Sequence, residues 1–340
     1  MNEKEQNIWK RLYDAADFVK AQKPWEYLDE YEFVTIELPG RKEAAYCAVV
    51  DFMESANTIS VFETPEALFD LIYLLESDGV PWHQESRYEN CIDVIFADRE
   101  ELEPADRDMI KELGLKYRGK RSWTMFRSFE KGFCVSSLNL KEAERLALVL
   151  EQLGLAISDM RDRDIEVDFE MDGTLLRRFS KKGQAWETIP AQLTVKDKQV
   201  LTFKMIDEIT LRQLKKAKKL RSTLQIDVMH HVFGLGDYEK GKQRRERFAM
   251  AIEEGDVPEK FLTVRMDPLD EEIPAILDLL ISFIQVKGRP MEIMVRDDII
   301  RMAIGEFCEE IGIKLIVSGF LDLLDYEFEV ITGLKELDDL

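Results

Sequence analysis

The stretch from Val286 to Gly319 constrains the fold more than any other. Met291–Val295 is a short apolar run bounded by Gly288, Arg289 and Pro290, the pattern of a buried strand. Asp297 or Asp298 then stands where a helix N-cap stands. Ile299, Met302, Ala303, Phe307, Cys308 and Ile311 recur at helical spacing, Gly312 is placed to close that helix, and Lys314–Val317 is a second apolar strand. A strand–helix–strand unit belongs in an α/β layer with a partly parallel sheet. It argues a fold and no activity.

The rest of the chain falls into two parts. Ile8 to Lys20 carries Trp9, Leu12, Tyr13, Ala16 and Val19 on one helical face, and Pro24–Leu28 (PWEYL) follows as an aromatic anchor with Trp25 expected in the core. Phe33–Leu38, Ala45–Phe52 and Thr58–Glu63 read as a strand meander, Thr64-Pro65 as a helix start, and Cys91–Ala97 and Trp123–Phe129 as further strands. Leu140 to Ile157 is an amphipathic helix. Ile165–Met171 and Thr174–Ser180 read as a hairpin about Asp172-Gly173, with Trp186–Leu193 a further strand. The polar stretch Thr194–Gln199 is the expected boundary, giving an α+β domain over 1–196 with a mostly antiparallel sheet. The α/β domain over 197–340 then has a partly parallel mixed sheet. Val200–Ile206 and Phe261–Met266 are its other expected strands, Leu211–Leu220 and Glu271–Val286 its other helices. The fragment from Val200 to Leu340 is expected to fold alone, with Val264 and Val317 in its core.

Charge and cysteine usage narrow the function classes. The 340 residues carry a formal net charge of −21, which disfavours general binding to nucleic acid or anionic membranes. The polar start MNEKEQNIWK is no signal peptide, and no apolar run approaches the length of a membrane helix. Cys47, Cys91, Cys134 and Cys308 are far apart and without metal-ligand spacing, so the expectation is a cytoplasmic protein with reduced thiols and no cofactor.

LYDAADFV (Leu12–Val19), PWEYL (Pro24–Leu28) and AYCAVVDF (Ala45–Phe52) resemble the start of an uncharacterised bacterial domain family. DREEL (Asp98–Leu102) and LGLKYRGKRSWTMFRS (Leu113–Ser128) resemble its second block. GRPMEIMVRD (Gly288–Asp297) and EEIGIKL (Glu309–Leu315) resemble a second such domain, commonly joined to the first. The resemblance implies a bacterial cytoplasmic two-domain protein and no catalytic assignment. Where that family has a glycine-rich turn and a Pro-Gly-aromatic stretch, this chain has VVDFMES (Val49–Ser55) and EKGFCVSS (Glu130–Ser137).

Three constellations bear chemistry. Asp207, Asp267 and Asp297 each follow an expected strand, and carboxylates converging at strand ends could hold Mg²⁺ for phosphoryl transfer or nuclease chemistry. The same residues serve equally as helix caps and turn formers. Arg212, Lys215, Lys216, Lys218, Lys219 and Arg221 make a basic helix that could contact nucleic-acid phosphates, or be a solvated face balanced by acids. His230 and His231 lie near Asp227, with one expected buried and one exposed. None of these outweighs its structural explanation. The sequence reading is therefore a non-catalytic binding or adaptor protein, taking another protein or a small ligand at sheet edges or a domain cleft.

Overall fold

The computed structural model describes residues 1–30, 32–50, 56–76, 80–180, 182–194, 207–234, 238–239, 241–254, 262–266, 271–296 and 298–334. The chain forms two compact units. The first comprises Met1–Leu71, Glu89–Glu130 and Val135–Asp197; the second comprises Ile72–Tyr88, Lys131–Cys134 and Lys198–Leu340.

In chain order, α1 (Glu3–Gln22) opens on an Asn2–Glu5 capping box and buries Trp9, Leu12, Tyr13, Ala16 and Val19. A single 3₁₀ turn, Pro24–Glu26, leads to β1 (Val34–Glu37), β2 (Ala45–Val50) and β3 (Asn57–Phe62). α2 (Pro65–Glu76) starts under a hydrogen bond from the Ala67 N–H to Thr64 Oγ1. After α3 (Trp82–Glu85) come β4 (Ile92–Ala97), α4 (Pro104–Glu112), β5 (Trp123–Ser128) and α5 (Leu140–Asp162). β6 (Gly173–Ser180) and β7 (Ala185–Gln192) complete the first unit.

Its sheet has the order β5-β4-β3-β2-β1-β6-β7. Neighbours are antiparallel except β1 and β6, which run parallel. The core lies between this sheet and the helices α1 and α5. The hairpin is displaced from its expected place. Phe169–Met171 is a 3₁₀ turn rather than strand, Asp172 turns the chain with a φ of 55°, and β6 pairs with β7. Pro190 is tolerated because β7 is an edge strand.

The second unit continues with α6 (Glu208–Lys216), β8 (Thr223–His230), the short pair β9 (Tyr238–Glu239) and β10 (Lys242–Gln243), β11 (Arg247–Glu254) and β12 (Leu262–Arg265). Then follow α7 (Glu272–Val286), β13 (Glu292–Val295), α8 (Asp298–Ile311), β14 (Lys314–Val317) and α9 (Asp322–Thr332). The sheet order is β12-β11-β8-β13-β14, with β8, β13 and β14 parallel and β11 antiparallel to both its neighbours. The strand–helix–strand unit stands as read, and Gly312, at a φ of 73°, ends α8.

α7 and α8 bury one face of this sheet through Ile276, Leu280, Phe283, Ile304 and Phe307. The other face meets α9 through Met229, Met250, Leu324 and Phe328. The central strands β8 and β11 carried no strand expectation. Val200–Ile206 lies outside the described residues. Val264 and Val317, expected in the core, are exposed on the two edge strands. Among the described residues no helix is long and apolar enough to cross a membrane.

Candidate functional site

β8 alternates by the two-residue period of a strand. Leu224, Ile226 and Val228 face α7 and α8, so Gln225, Asp227 and Met229 face α9. Asp227 is thereby carried into the interior and is fully buried. Arg296, one residue beyond β13, enters the same layer with no exposed surface. α9 supplies Asp325, and the segment after α3 supplies Arg87.

These four side chains neutralise one another. Arg87 Nη1 donates to both Asp227 oxygens at 2.9 and 2.8 Å. Arg296 Nε donates to Asp227 Oδ2 at 2.6 Å and its Nη2 to Asp325 Oδ1 at 2.6 Å. Arg296 Nη1 also donates to the Gly319 carbonyl, and the Leu321 N–H to Asp325 Oδ2 at 2.9 Å. Burial works against the Arg296 charge, but Asp227 and Asp325 outweigh it and its pKa is raised. Burial likewise opposes ionisation of Asp325, yet His83 and Arg296 beside it hold it below the usual carboxylate range.

The layer extends toward the start of α7. Arg87 Nη2 donates to Glu272 Oε2 at 3.3 Å, and His230 Nε2 lies 2.7 Å from Glu272 Oε1. Desolvation pushes Glu272 up, while Arg87, His230 and Arg247 together pull it well below its ordinary value. Desolvation lowers the His230 pKa, against the hydrogen bond and charge of Glu272, which raise it. Gln84 fixes the neighbouring backbone as a strand partner would. Its Nε2 donates to the His230 carbonyl at 3.3 Å and its Oε1 accepts from the His230 N–H at 3.1 Å. Both histidines of the pair are buried, against the expectation of one exposed; His231 Nδ1 sits 2.9 Å from the Phe233 carbonyl. His83 stacks on Phe328 with ring centroids 5.5 Å apart, its nitrogens 3.8 Å from Asp325 and 3.6 Å from Glu329.

Chemically the four charged side chains satisfy one another, while among the described residues His83 Nδ1 and Nε2 and His230 Nδ1 are buried without a hydrogen-bond partner. The guanidinium donors meet carboxylates at hydrogen-bond distance, and the Asp227–Arg296 pair presents no surface to solvent. Any one member of the layer left without its partners is a buried unpaired charge.

Of the constellations singled out in the sequence, Asp227 with His230 lies in this layer, and the other two lie elsewhere. Asp207 caps α6: its Oδ1 accepts from the Ile209 and Thr210 N–H groups at 3.0 Å, and its Oδ2 from the Thr210 hydroxyl at 2.6 Å. Those bonds, the Thr210 hydroxyl first, lower its pKa. Asp267 and Asp297 lie outside the described residues. The strands before them, β12 and β13, are separated by β11 and β8, an offset of roughly 14 Å at the ordinary strand spacing.

The basic helix stops at Lys216, so Lys218, Lys219 and Arg221 follow it rather than ride on it. Lys219 forms a parallel bridge with Arg289; the Arg289 N–H donates to the Lys218 carbonyl at 2.7 Å and the Leu220 N–H to the Arg289 carbonyl at 2.8 Å. Lys215 lies 3.8 Å from Glu310, and Arg212 is held by Glu208 at 3.1 Å. The cations collect where helices end: Lys215 and Lys216 at the C-terminus of α6, Lys287 at that of α7, and Arg289 donating to the last carbonyl of α8, Ile311. Helix C-termini attract positive charge, which accounts for the positions of Lys215, Lys216, Lys287 and Arg289.

Residues 9–178 match the model of a family described as Domain of unknown function (DUF7309), and residues 210–332 match a second, Domain of unknown function (DUF6930). No curated protein and no solved structure matches the chain. With half of its 340 residues under the first of these models, the chain belongs to the DUF7309 family and carries a DUF6930 domain behind it.

Proposed function

We propose that this chain is a non-catalytic, cytoplasmic binding protein, and that the ion layer of the second unit is its scaffold rather than a reactive centre. One observation carries the reading: Arg87, Asp227, Arg296 and Asp325 are each within 3 Å of an opposite charge and are almost wholly withdrawn from solvent. A catalytic constellation keeps a group free for substrate, whereas this one spends its charges on itself. The four free cysteines agree with a reducing compartment.

Stability separates the two readings. Removing one partner of a buried charge pair costs about 3–5 kcal/mol when the pair is structural. Active-site charges are commonly held at the expense of stability, so their replacement is neutral or stabilising. Urea denaturation of Asp227→Asn is expected to show the large loss. A variant as stable as the native chain, or more so, would overturn the scaffold reading and reopen catalysis at this layer.

A further inference from the structure

On the scaffold reading of the ion layer, we infer that the outer face of α9 docks an amphipathic helix of a partner protein whose polar side is rich in lysine and arginine. α9 is pinned from beneath: Leu324 and Phe328 pack in one cluster with Met229 and Met250, and Asp325 is held by Arg296. At 3.6 residues per turn, Tyr326 and Val330 fall on the opposite side of the helix. They are 50% and 48% exposed. Half-buried Leu323 continues the row, which puts apolar side chains at i, i+3 and i+7.

Three features select the occupant. First, a surface helix ordinarily carries polar residues opposite its core face. A second apolar row there marks a contact, and its spacing is the one a packed partner helix meets. Second, the row is rimmed by one sign of charge. By the same helical geometry Asp322 and Glu329 stand on one side of it and Glu327 on the other. Asp322 is exposed, Glu327 and Glu329 are half-buried, and Glu329 lies 3.6 Å from His83. Residues 321–334 contain no lysine or arginine. An acidic rim is matched by a basic one. It argues against a second copy of this chain, because two acid-rimmed faces repel, as do two molecules of net charge −21. Third, Trp82 is 47% exposed and stands edge-on to His83, which stacks on Phe328 of α9. Tryptophan and tyrosine are the side chains that most often carry binding energy, and both are presented here on a rigidly held surface.

The test uses the full-length chain and a fluorescein-labelled helical peptide of about five turns, with leucine on one face and lysine on the other, read by anisotropy. The same peptide with glutamate in place of lysine is the control. The basic peptide is expected to bind at micromolar concentration and about tenfold more tightly than the acidic one. Val330→Ser removes an exposed apolar group without changing the net charge. It is expected to weaken binding about tenfold with an unchanged melting temperature. Tyr326→Ser is expected to do the same and serves if the first variant does not fold. Leu155→Ser, on α5 of the first unit and 40% exposed, is expected to leave binding unchanged. Asp322→Lys combined with Glu327→Lys is expected to reverse the preference between the two peptides. Binding indifferent to Val330→Ser and Tyr326→Ser would show mere attraction to an acidic protein and overturn the site. Dimerisation of the native chain in sedimentation, abolished by Val330→Ser, would give the face to a second copy and overturn the basic partner. Absence of binding at about 100 µM peptide, in a chain whose Asp227→Asn variant is destabilised, would remove this face while leaving the scaffold reading standing.

Discussion

Asp93 in the first unit and Asp227 in the second are buried carboxylates held in opposite ways. In the first, Asp93 on β4 is buried between strands with neutral donors, Ser60 Oγ at 2.7 Å and Cys91 Sγ at 3.4 Å, and desolvation raises its pKa to about 6. In the second, Asp227 is buried more deeply but lies between two guanidinium groups. An apolar core tolerates a stray carboxylate at a cost in stability. A core assembled around ion pairs depends on every member. The first unit should therefore gain from loss of the Asp93 charge, and the second should be destabilised by loss of any one charge of its layer.

The largest expected effect is on chain cutting. Ile72–Tyr88 counts with the second unit and supplies His83, Gln84 and Arg87, although it lies within the DUF7309 stretch of the sequence. A fragment beginning at Lys198 leaves Asp227 with Arg296 alone and strips Gln84 from the His230 backbone. It is expected to lack a cooperative thermal transition, unlike the full chain. A sharp melt of the fragment would show that α6–α9 and their sheet tolerate an unmatched Asp227, which would break the contrast between the units.

Next in size is Arg296→Ala, which leaves Asp227 and Asp325 short of a cation and should cost about 3–5 kcal/mol. Replacing Asp227, Arg296 and Asp325 together by apolar residues of similar volume should recover much of that loss, since a buried ion set removed whole is often neutral. In the first unit the corresponding large effect is apolar. Leu150→Ala on α5, fully buried, should cost about 2–5 kcal/mol. Equal urea midpoints for Arg296→Ala and the native chain would deny the ion layer its structural weight.

The pH dependence should also split by unit. Asp93, with its folded pKa raised to about 6 from 3.8, binds protons more readily folded than unfolded, so its contribution improves as pH falls from 6 toward 4. Asp93→Asn should be more stable than the native chain at pH 7, by about 2–3 kcal/mol, and equal to it below pH 4. His230, Asp325 and Glu272 have lowered folded values. Their stabilisation is complete above the unfolded values and is lost on acidification, for His230 as pH falls below 6.5 and for the carboxylates in the acid range. Trp82 belongs to the second unit and Trp9, Trp25, Trp123 and Trp186 to the first. Acid titration of the native and Trp82→Phe chains by tryptophan fluorescence should show the second unit failing first. The first unit failing at higher pH would reverse the comparison.

Much of the fold was legible because periodicity and punctuation coincide. α1, α5, α8 and the meander β1–β3 have an apolar stripe or run together with a cap, proline or glycine at their ends. β8 escaped notice because its α9-facing side carries polar residues: Gln225 and Asp227 have the spacing of solvent positions, yet α9 and Arg87 cover them. The ion layer was invisible for a related reason. Arg87, Asp227, Arg296 and Asp325 are spread over 239 positions, from 87 to 325, and each looks like an ordinary surface charge until pairing is known. Two signals were present: Asp227 beside His230 and His231, and Arg296 directly after the apolar run of β13. Asp207 shows the converse. It was noticed for its position after an expected strand, and that position is a helix cap.

The smallest effect tests the aromatic anchors. Trp25 was expected in the core but is only partly buried, with its ring 5.8 Å from that of Phe96. Trp82, in the second unit, is 47% exposed and stands edge-on to His83 at 5.9 Å. Burial scales the loss on truncation: a fully buried aromatic costs about 3–5 kcal/mol when cut to alanine, so Trp25→Ala should cost about 2 kcal/mol. Trp82 is half exposed and its ring contact is with His83, so Trp82→Ala should stay under about 1 kcal/mol. Urea midpoints of the two variants decide the order. Should Trp82→Ala prove the more damaging, exclusion of water by its indole would be what makes the His83–Asp325–Arg296 contacts strong, and the second unit would depend on its apolar cover as the first depends on its core.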